Sequence, residues 1–434
     1  MPVSTVGDGG PDSPGLAAVL HLVRSGIAVT RPEISRLSGL GRKAVALRAE
    51  QLIACGLLSE GRLGRSTGGR LPRELQFEER AGLLLVAELG ATVISVGLTD
   101  LSGRLVQEHT EPADTLAGAE PTLARVEEMF RKLLAAAADE LAAPLWGIGI
   151  GVLGPVDAAS GRPVPLSFLP GWGDYPVRDR LEAAFGVPVW VDNEVNLMAL
   201  GEFRQGGSRT PDMIYVKMGS GTKAGIISGG RLIHGVGGAA GEIGHISVSD
   251  DPAFACACGH VGCLNEFTGS QRLAAAGREA ARSGRSASLR EVHEAKGDLD
   301  ANDVARAAAM GDRAAVEILN RAADKVGRVL AVLVNVHNPS LILIGGTVAA
   351  AGDSFLSAIR QAMYPRAFPS SVRDLRVSFS PLSDRAGLVG AAFLALDQLL
   401  GPAALPVWID GQSPAGHTAA DLRSAVPETR KDLL

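Results

Sequence analysis

The chain has 434 residues, enough for two or three separately cored domains. Its formal net charge of −5 gives no global pointer to nucleic acid or to an anionic membrane, and no run of eighteen apolar residues exists to form a membrane-crossing helix. The opening MPVSTVGDGGPDSPG lacks the apolar core of a signal peptide, and three of the four cysteines fall within eight positions, which argues against a disulfide scaffold and for a reduced cytoplasm.

Residues 1–14, rich in Gly, Pro, Ser and Asp, are expected to be disordered. From 15 to 78 the pattern turns helical and then β. Leu16, Val19, Leu20 and Val23 share one helical face. Pro32 stands where a second helix would begin, with Ile34 and Leu37 inward, and Gly39 to Gly41 makes a tight turn. A third helix would bury Val45, Leu52 and Ile53 and stop at Gly56. LLSEGRLGRSTGGRLPRELQF then alternates around glycines as a β-hairpin does. Three short helices and a hairpin outline a winged helix-turn-helix.

Charge agrees with that outline. Between Arg24 and Arg73 ten Lys and Arg stand against three Glu, so the segment carries +7 and the remainder −12. A compact basic unit on an acidic body is the electrostatic footprint of DNA binding. Arg42, Lys43 and Arg48 project from the start and outer face of the third helix, where phosphates and base edges are reached. Arg65 and Arg70 flank the wing tip. The other reading of such a segment is a small dimerisation unit with a solvated basic face.

From residue 82 to 400 the pattern is mixed α/β. LLLVAELGATVISVGLTDLSGRLVQEH reads as strand, turn, strand, turn, strand, and MIYVKMGSGTKAGIISGGRLIHG repeats the plan. Two copies of one meander predict two lobes, divided near residue 192, with a ligand cleft between them and a helix near 386–400 returning to the first lobe. Residues 401–434 carry prolines and scattered charge without periodicity and are expected to form a mobile tail. In CACGHVGCLNE, Cys256, Cys258 and Cys263 supply three thiols of an incomplete tetrahedral site. The nearest upstream candidate for a fourth ligand is His245 of GEIGH; unligated buried thiols are the alternative.

Over about residues 15 to 400 the sequence resembles the ROK family of repressors and sugar kinases, in its regulator branch of the xylose-repressor type. GLGRKAVALRAEQLIACGLLSEGRLGRSTGGRLPRELQF resembles the regulators' DNA-binding domain. GIGIGVLGPVD, LPGWGDYPV, VDNEVNLMALGE, GSGTKAGIISGGRLIHGVGGAAGEIGH, CACGHVGCLNE and NPSLILIGGTVAAAG match the family's sugar and nucleotide segments in order. The resemblance implies a two-lobed, actin-like (ribonuclease-H-like) sugar-kinase fold behind the winged helix-turn-helix. It also implies one structural zinc per chain on His245, Cys256, Cys258 and Cys263, and a sugar held by Asn193, Glu194, Glu242, His245 and Glu266.

The sequence departs from the kinases where phosphate chemistry happens. The resemblance places Glu194 at the position of their catalytic aspartate, one methylene longer, and misplacing a base by about 1 Å costs roughly a hundredfold in rate. Glu88-Leu-Gly-Ala91-Thr92 and the Lys223-Ala224 pair stand where the kinases have acidic and glycine-rich phosphate loops. The expectation is a cytoplasmic regulator, not an enzyme: a homodimer or homotetramer on a palindromic operator, answering to a sugar or sugar phosphate, with no membrane role. The competing expectation is an ATP-dependent sugar kinase with an appended DNA-binding domain.

Overall fold

The structure, a computed structural model, describes residues 13–63, 73–138, 143–205 and 210–423. The N-terminal unit comprises helices α1 (Ser13–Arg24), α2 (Arg31–Ser38) and α3 (Arg42–Ala54), then strands β1 (Leu58–Leu63) and β2 (Arg73–Phe77), paired antiparallel. Local chemistry sets each boundary. Thr30 caps α2 in a reciprocal box with Glu33, and Gly39 at φ 74° ends it in the left-handed conformation that glycine adopts without strain. Along α3, Val45, Ala49 and Leu52 are fully buried and pack on Val19 and Leu20 of α1.

The first lobe is a mixed five-stranded sheet. Its strands are β3 (Leu83–Leu89), β4 (Val93–Asp100), β5 (Leu105–Pro112) and β6 (Leu145–Val152), followed by the short pair β7 (Val156–Asp157) and β8 (Arg162–Pro163), and then β9 (Val189–Asn193). The order is β5-β4-β3-β6-β9, antiparallel through the meander and parallel from β3 through β6 to β9. Strands β3, β4, β6 and β9 are buried on both faces by α4 (Ala119–Ala137), α5 (Val177–Phe185) and the helices between the lobes, while the edge strand β5 is largely exposed.

The second lobe repeats the plan. Strands β10 (Met213–Met218), β11 (Thr222–Ser228), β12 (Arg231–Leu232), β13 (Leu341–Gly346) and β14 (Arg376–Phe379) run β12-β11-β10-β13-β14, again an antiparallel meander joined to two parallel strands. The expected duplication is therefore present strand for strand. Helix α6 (Glu194–Gln205) and the closing helix Ala386–Leu399 cross between the sheets with backbones touching. A Cβ on Gly201 would come within 2.2 Å of the Ala386 carbonyl oxygen, and one on Gly390 within 1.7 Å of that of Leu197. Only glycine permits that approach.

The expectation of a mobile tail from 401 fails as far as Arg423. Leu405, Trp408, Ile409, Ala419 and Leu422 are buried, and the Trp408 indole donates to the Leu399 carbonyl at 2.9 Å and lies edge-on to Trp146 with centroids 5.1 Å apart. These elements are four- and five-residue helices anchored by a few large apolar groups, so no periodic stripe marks them. The same apolar cluster contains Leu16, Val19 and Leu20 of α1 together with Trp146, Trp190, Leu396 and Trp408, so the N-terminal unit shares its core with the first lobe.

Candidate sugar cleft, metal centre and nucleic-acid interface

The cleft forms where β9 gives way to α6. Asp192 is the penultimate residue of the strand and is fully used there. Its Oδ1 accepts from the Asn193 amide at 2.6 Å and from Asn196 Nδ2 at 2.9 Å, and its Oδ2 lies 2.7 Å from His234 Nε2. That hydrogen bond raises the His234 pKa against its partial burial. Asn193 is buried, and its Oδ1 accepts from the Val195 amide at 3.0 Å, capping the helix. It therefore supports the site from behind, and the cleft wall begins at the next residue.

Glu194 is almost fully buried and charge-compensated. Lys217 Nζ donates to its Oε2 at 2.6 Å, and Lys223 Nζ stands 3.8 Å from its Oε1 and 3.8 Å from Glu242 Oε1. Lys217 and Lys223 are direct cross-strand partners on β10 and β11, which puts both ammonium groups on one face. Glu88, near the end of β3, completes the cluster. Burial pushes its carboxyl pKa up to about 7; Lys217 opposes that shift and Glu194 adds to it. Burial works against the Lys217 ammonium, yet the Glu194 and Glu88 carboxylates outweigh it and raise its pKa.

These groups close one end of a cavity of about 930 Å³ between the lobes, lined by Glu194, Lys223, Glu242, His245, Glu266 and Phe168 among others. Ala91 also lines it, its methyl on the wall where the resemblance places a phosphate loop. Glu266 is bonded to Arg272 of the following helix. Asn265 Oδ1 accepts from the Thr222 amide at 2.7 Å, tying the helix that carries Glu266 to the second meander. Among the expected sugar ligands, then, Glu194, Glu242, His245 and Glu266 converge on one space, and Asn193 does not.

The metal ligands also converge. One donor atom from each of His245, Cys256, Cys258 and Cys263 lies within 4.8 Å of the other three. Cys258 Sγ is 3.6 Å from Cys263 Sγ, and Cys256 Sγ is 3.8 Å from His245 Nδ1. A tetrahedral ion with bonds of about 2.3 Å needs donor separations near 3.8 Å, so the set fits a closed four-ligand site. The loop is built for it: Cys256 accepts from Gly259 at 2.9 Å and donates to His260 at 2.8 Å through the backbone, and Ser247 bridges to Cys263. With His245 Nδ1 facing the thiols, the residue also lines the cleft, so one ring connects the two sites.

On the N-terminal unit, Arg42 and Lys43 are exposed on the first turn of α3. Arg48 is half-buried, with Nη1 donating to Gln51 Oε1 at 3.1 Å. Arg65 and Arg70 lie outside the described residues. Sequence reasoning missed Lys217 and the Asp192–His234 pair. The signal for Lys217 was available: it is the one charged residue in the strand Met-Ile-Tyr-Val-Lys-Met, whose other side chains are all buried.

Comparison with known proteins follows the same division. The ROK family profile matches residues 85–398. The xylose repressor of Caldicellulosiruptor bescii is 31% identical over 389 residues, covering 88% of this chain and 95% of that one. A glucokinase of Halalkalibacterium halodurans is 31% identical over 312 residues, 72% of this chain and 94% of that one. At 88% of this chain the repressor match must begin ahead of residue 85, where the profile begins, whereas the kinase match is no longer than the profile's span. A crystal structure of a ROK family transcriptional regulator, a homologue of the E. coli Mlc protein, shares the fold with a TM-score of 0.78 at 24% identity, over 90% of this chain and 98% of that one.

Proposed function

The chain belongs to the ROK family, and from that premise we propose that it is a transcriptional repressor whose DNA binding answers to a small sugar or sugar phosphate. The Lys217–Glu194 ion pair carries the distinction from a kinase. A general base must present a free carboxylate to the substrate hydroxyl. Here Glu194, the acidic group at the first position of α6, is held by one lysine and flanked by a second. Glu242 and Glu266 can accept from the adjacent hydroxyls of a polyol, His245 adds a ring nitrogen, and Lys223, within reach of Glu194 and Glu242, adds a donor.

The four-ligand set suits zinc, one per chain, in a structural role, because no coordination position is left for substrate. When bound, the metal would fix the loop that carries His245 and leads into Glu266. The repressor of C. bescii supports operator DNA as the partner, with Arg42 and Lys43 at the duplex. A homodimer would present two such units to a palindromic site, and a homotetramer two such pairs.

Two measurements test the reading. Purified protein with ATP, Mg²⁺ and a panel of sugars should release no ADP above background, and robust turnover would promote the kinase reading. Arg42→Glu should weaken binding to a duplex selected from a random library by at least about tenfold, with Arg321→Glu in the body as control. Equal losses from the two variants would place the DNA-binding surface elsewhere.

A further inference from the structure

Helix α6 begins in the cleft and ends against the DNA-binding unit. Glu194 is its first residue and lines the cavity; Arg204, about 15 Å further along the axis at 1.5 Å per residue, is bonded to Asp397 of the closing helix. Asp397 is half-buried and feels the charges of Arg24 and His21, both in the last turn of α1. Arg24 in turn lies 5.8 Å from the Phe77 ring at the end of the wing hairpin and 5.8 Å from Phe393 on the closing helix.

The Gly201 and Gly390 contacts pack the two helices backbone to backbone, so a displacement of one presses on the other. The closing helix also starts beside Glu88, since a Cβ on Gly387 would fall 1.9 Å from Glu88 Oε2. A cavity of about 680 Å³ lined by His21, Arg24, Arg204, Asp397 and Leu400 adjoins the charge cluster, which gives Arg24 space to move. Charges held together at the edge of a groove can re-pair, and a packed helix pair passes a displacement on.

We propose that Arg204 and Asp397 are positioning residues that carry the occupancy of the cleft, through α6, to Arg24 and so set the orientation of the N-terminal unit. The inference rests on the sugar-responsive reading above and adds its route. Sugar hydroxyls engaging Glu194 draw the head of α6; Arg204 and Asp397 follow at the other end; Arg24 carries α1 and, through Phe77, the wing hairpin. Truncating one end therefore uncouples the sites without touching either ligand.

The test measures coupling, which is reciprocal between two ligands. Dissociation constants of the full chain for a library-selected duplex are measured with and without D-xylose, D-glucose and glucose 6-phosphate, and those of the sugars with and without duplex. The wild type should show a coupling factor in the range of about 5–150-fold with at least one of these ligands. Asp397→Asn and, separately, Arg204→Gln should bring that factor to within about twofold of one, while each ligand alone binds within about threefold of wild type. Asp397→Glu, which keeps the charge, should retain coupling. Retained coupling in both uncharged variants overturns the relay and leaves the sugar-responsive reading intact. A wild-type factor of one overturns both.

Discussion

The two lobes are one sheet plan used twice, and they differ most where they face each other. Glu88 is the penultimate residue of β3 and Lys217 the penultimate residue of β10, each in the first strand of its meander. In the first lobe that position holds a carboxyl with its pKa raised to about 7 by burial; in the second it holds an ammonium that reaches Glu194 at 2.6 Å. The repeated ladder conserves backbone and lets side chains at equivalent places take opposite charges. The lobes are thereby joined through a largely buried ion cluster at the head of α6, in the place where a phosphotransferase needs a free acid.

The sharpest way to break that comparison is to remove the cation. Lys217→Met leaves Glu194 buried with only the distant Lys223 beside it, and should cost about 3–5 kcal/mol in urea unfolding. A loss below about 1 kcal/mol would mean that the cluster is solvated and the lobes are not joined by it.

Glu88→Gln tests the first-lobe side. The folded-state pKa is raised from 4.5 to about 7, so the protonated carboxyl's contribution is fully present below pH 4.5 and is lost as pH rises through about 7. The stability difference between Glu88→Gln and wild type should therefore shift in the variant's favour by about 3 kcal/mol from pH 4.5 to pH 8. A difference independent of pH would place the titration elsewhere. The smallest effect belongs to Lys223→Met. Its ammonium stands 3.8 Å from both carboxylates and is partly exposed, so stability should change by under about 1 kcal/mol, while sugar affinity, read by calorimetry, should fall at least about tenfold. A pocket that binds as before would show that Lys223 serves only as a counter-ion.

Features written in local sequence were legible. The three short helices with their glycine stops, the two meanders and the Cys256, Cys258 and Cys263 spacing each depend on residues near one another, and the metal set also closes in space with His245. Most of what escaped depends on distant partners; Asn193, whose partner is two residues away, is the exception. Asn193 reads as a ligand beside Glu194 until the helix is seen to start at Glu194, which makes its amide side chain a cap. Lys217 is 23 positions from Glu194, and only the pairing of β10 with β11 and the packing of α6 bring the charges together. The segment after Gly401 has no stripe to read because Trp408 and its few apolar neighbours bury themselves one by one.

The core shared by α1, the first lobe and the segment 402–423 has a consequence for anyone building hybrid regulators. DNA-binding heads are commonly treated as interchangeable cassettes, cut at the linker and grafted to a new sensor. Here the underside of the head is completed by residues more than three hundred positions downstream, Trp408 and Leu405 among them. A graft of residues 13–77 onto a foreign sugar lobe would expose Leu16, Val19 and Leu20 to water unless the recipient's own C-terminal strap were rebuilt to meet them. The transferable part is both ends of the chain together, and specificity for operator and for sugar would have to be exchanged across that seam.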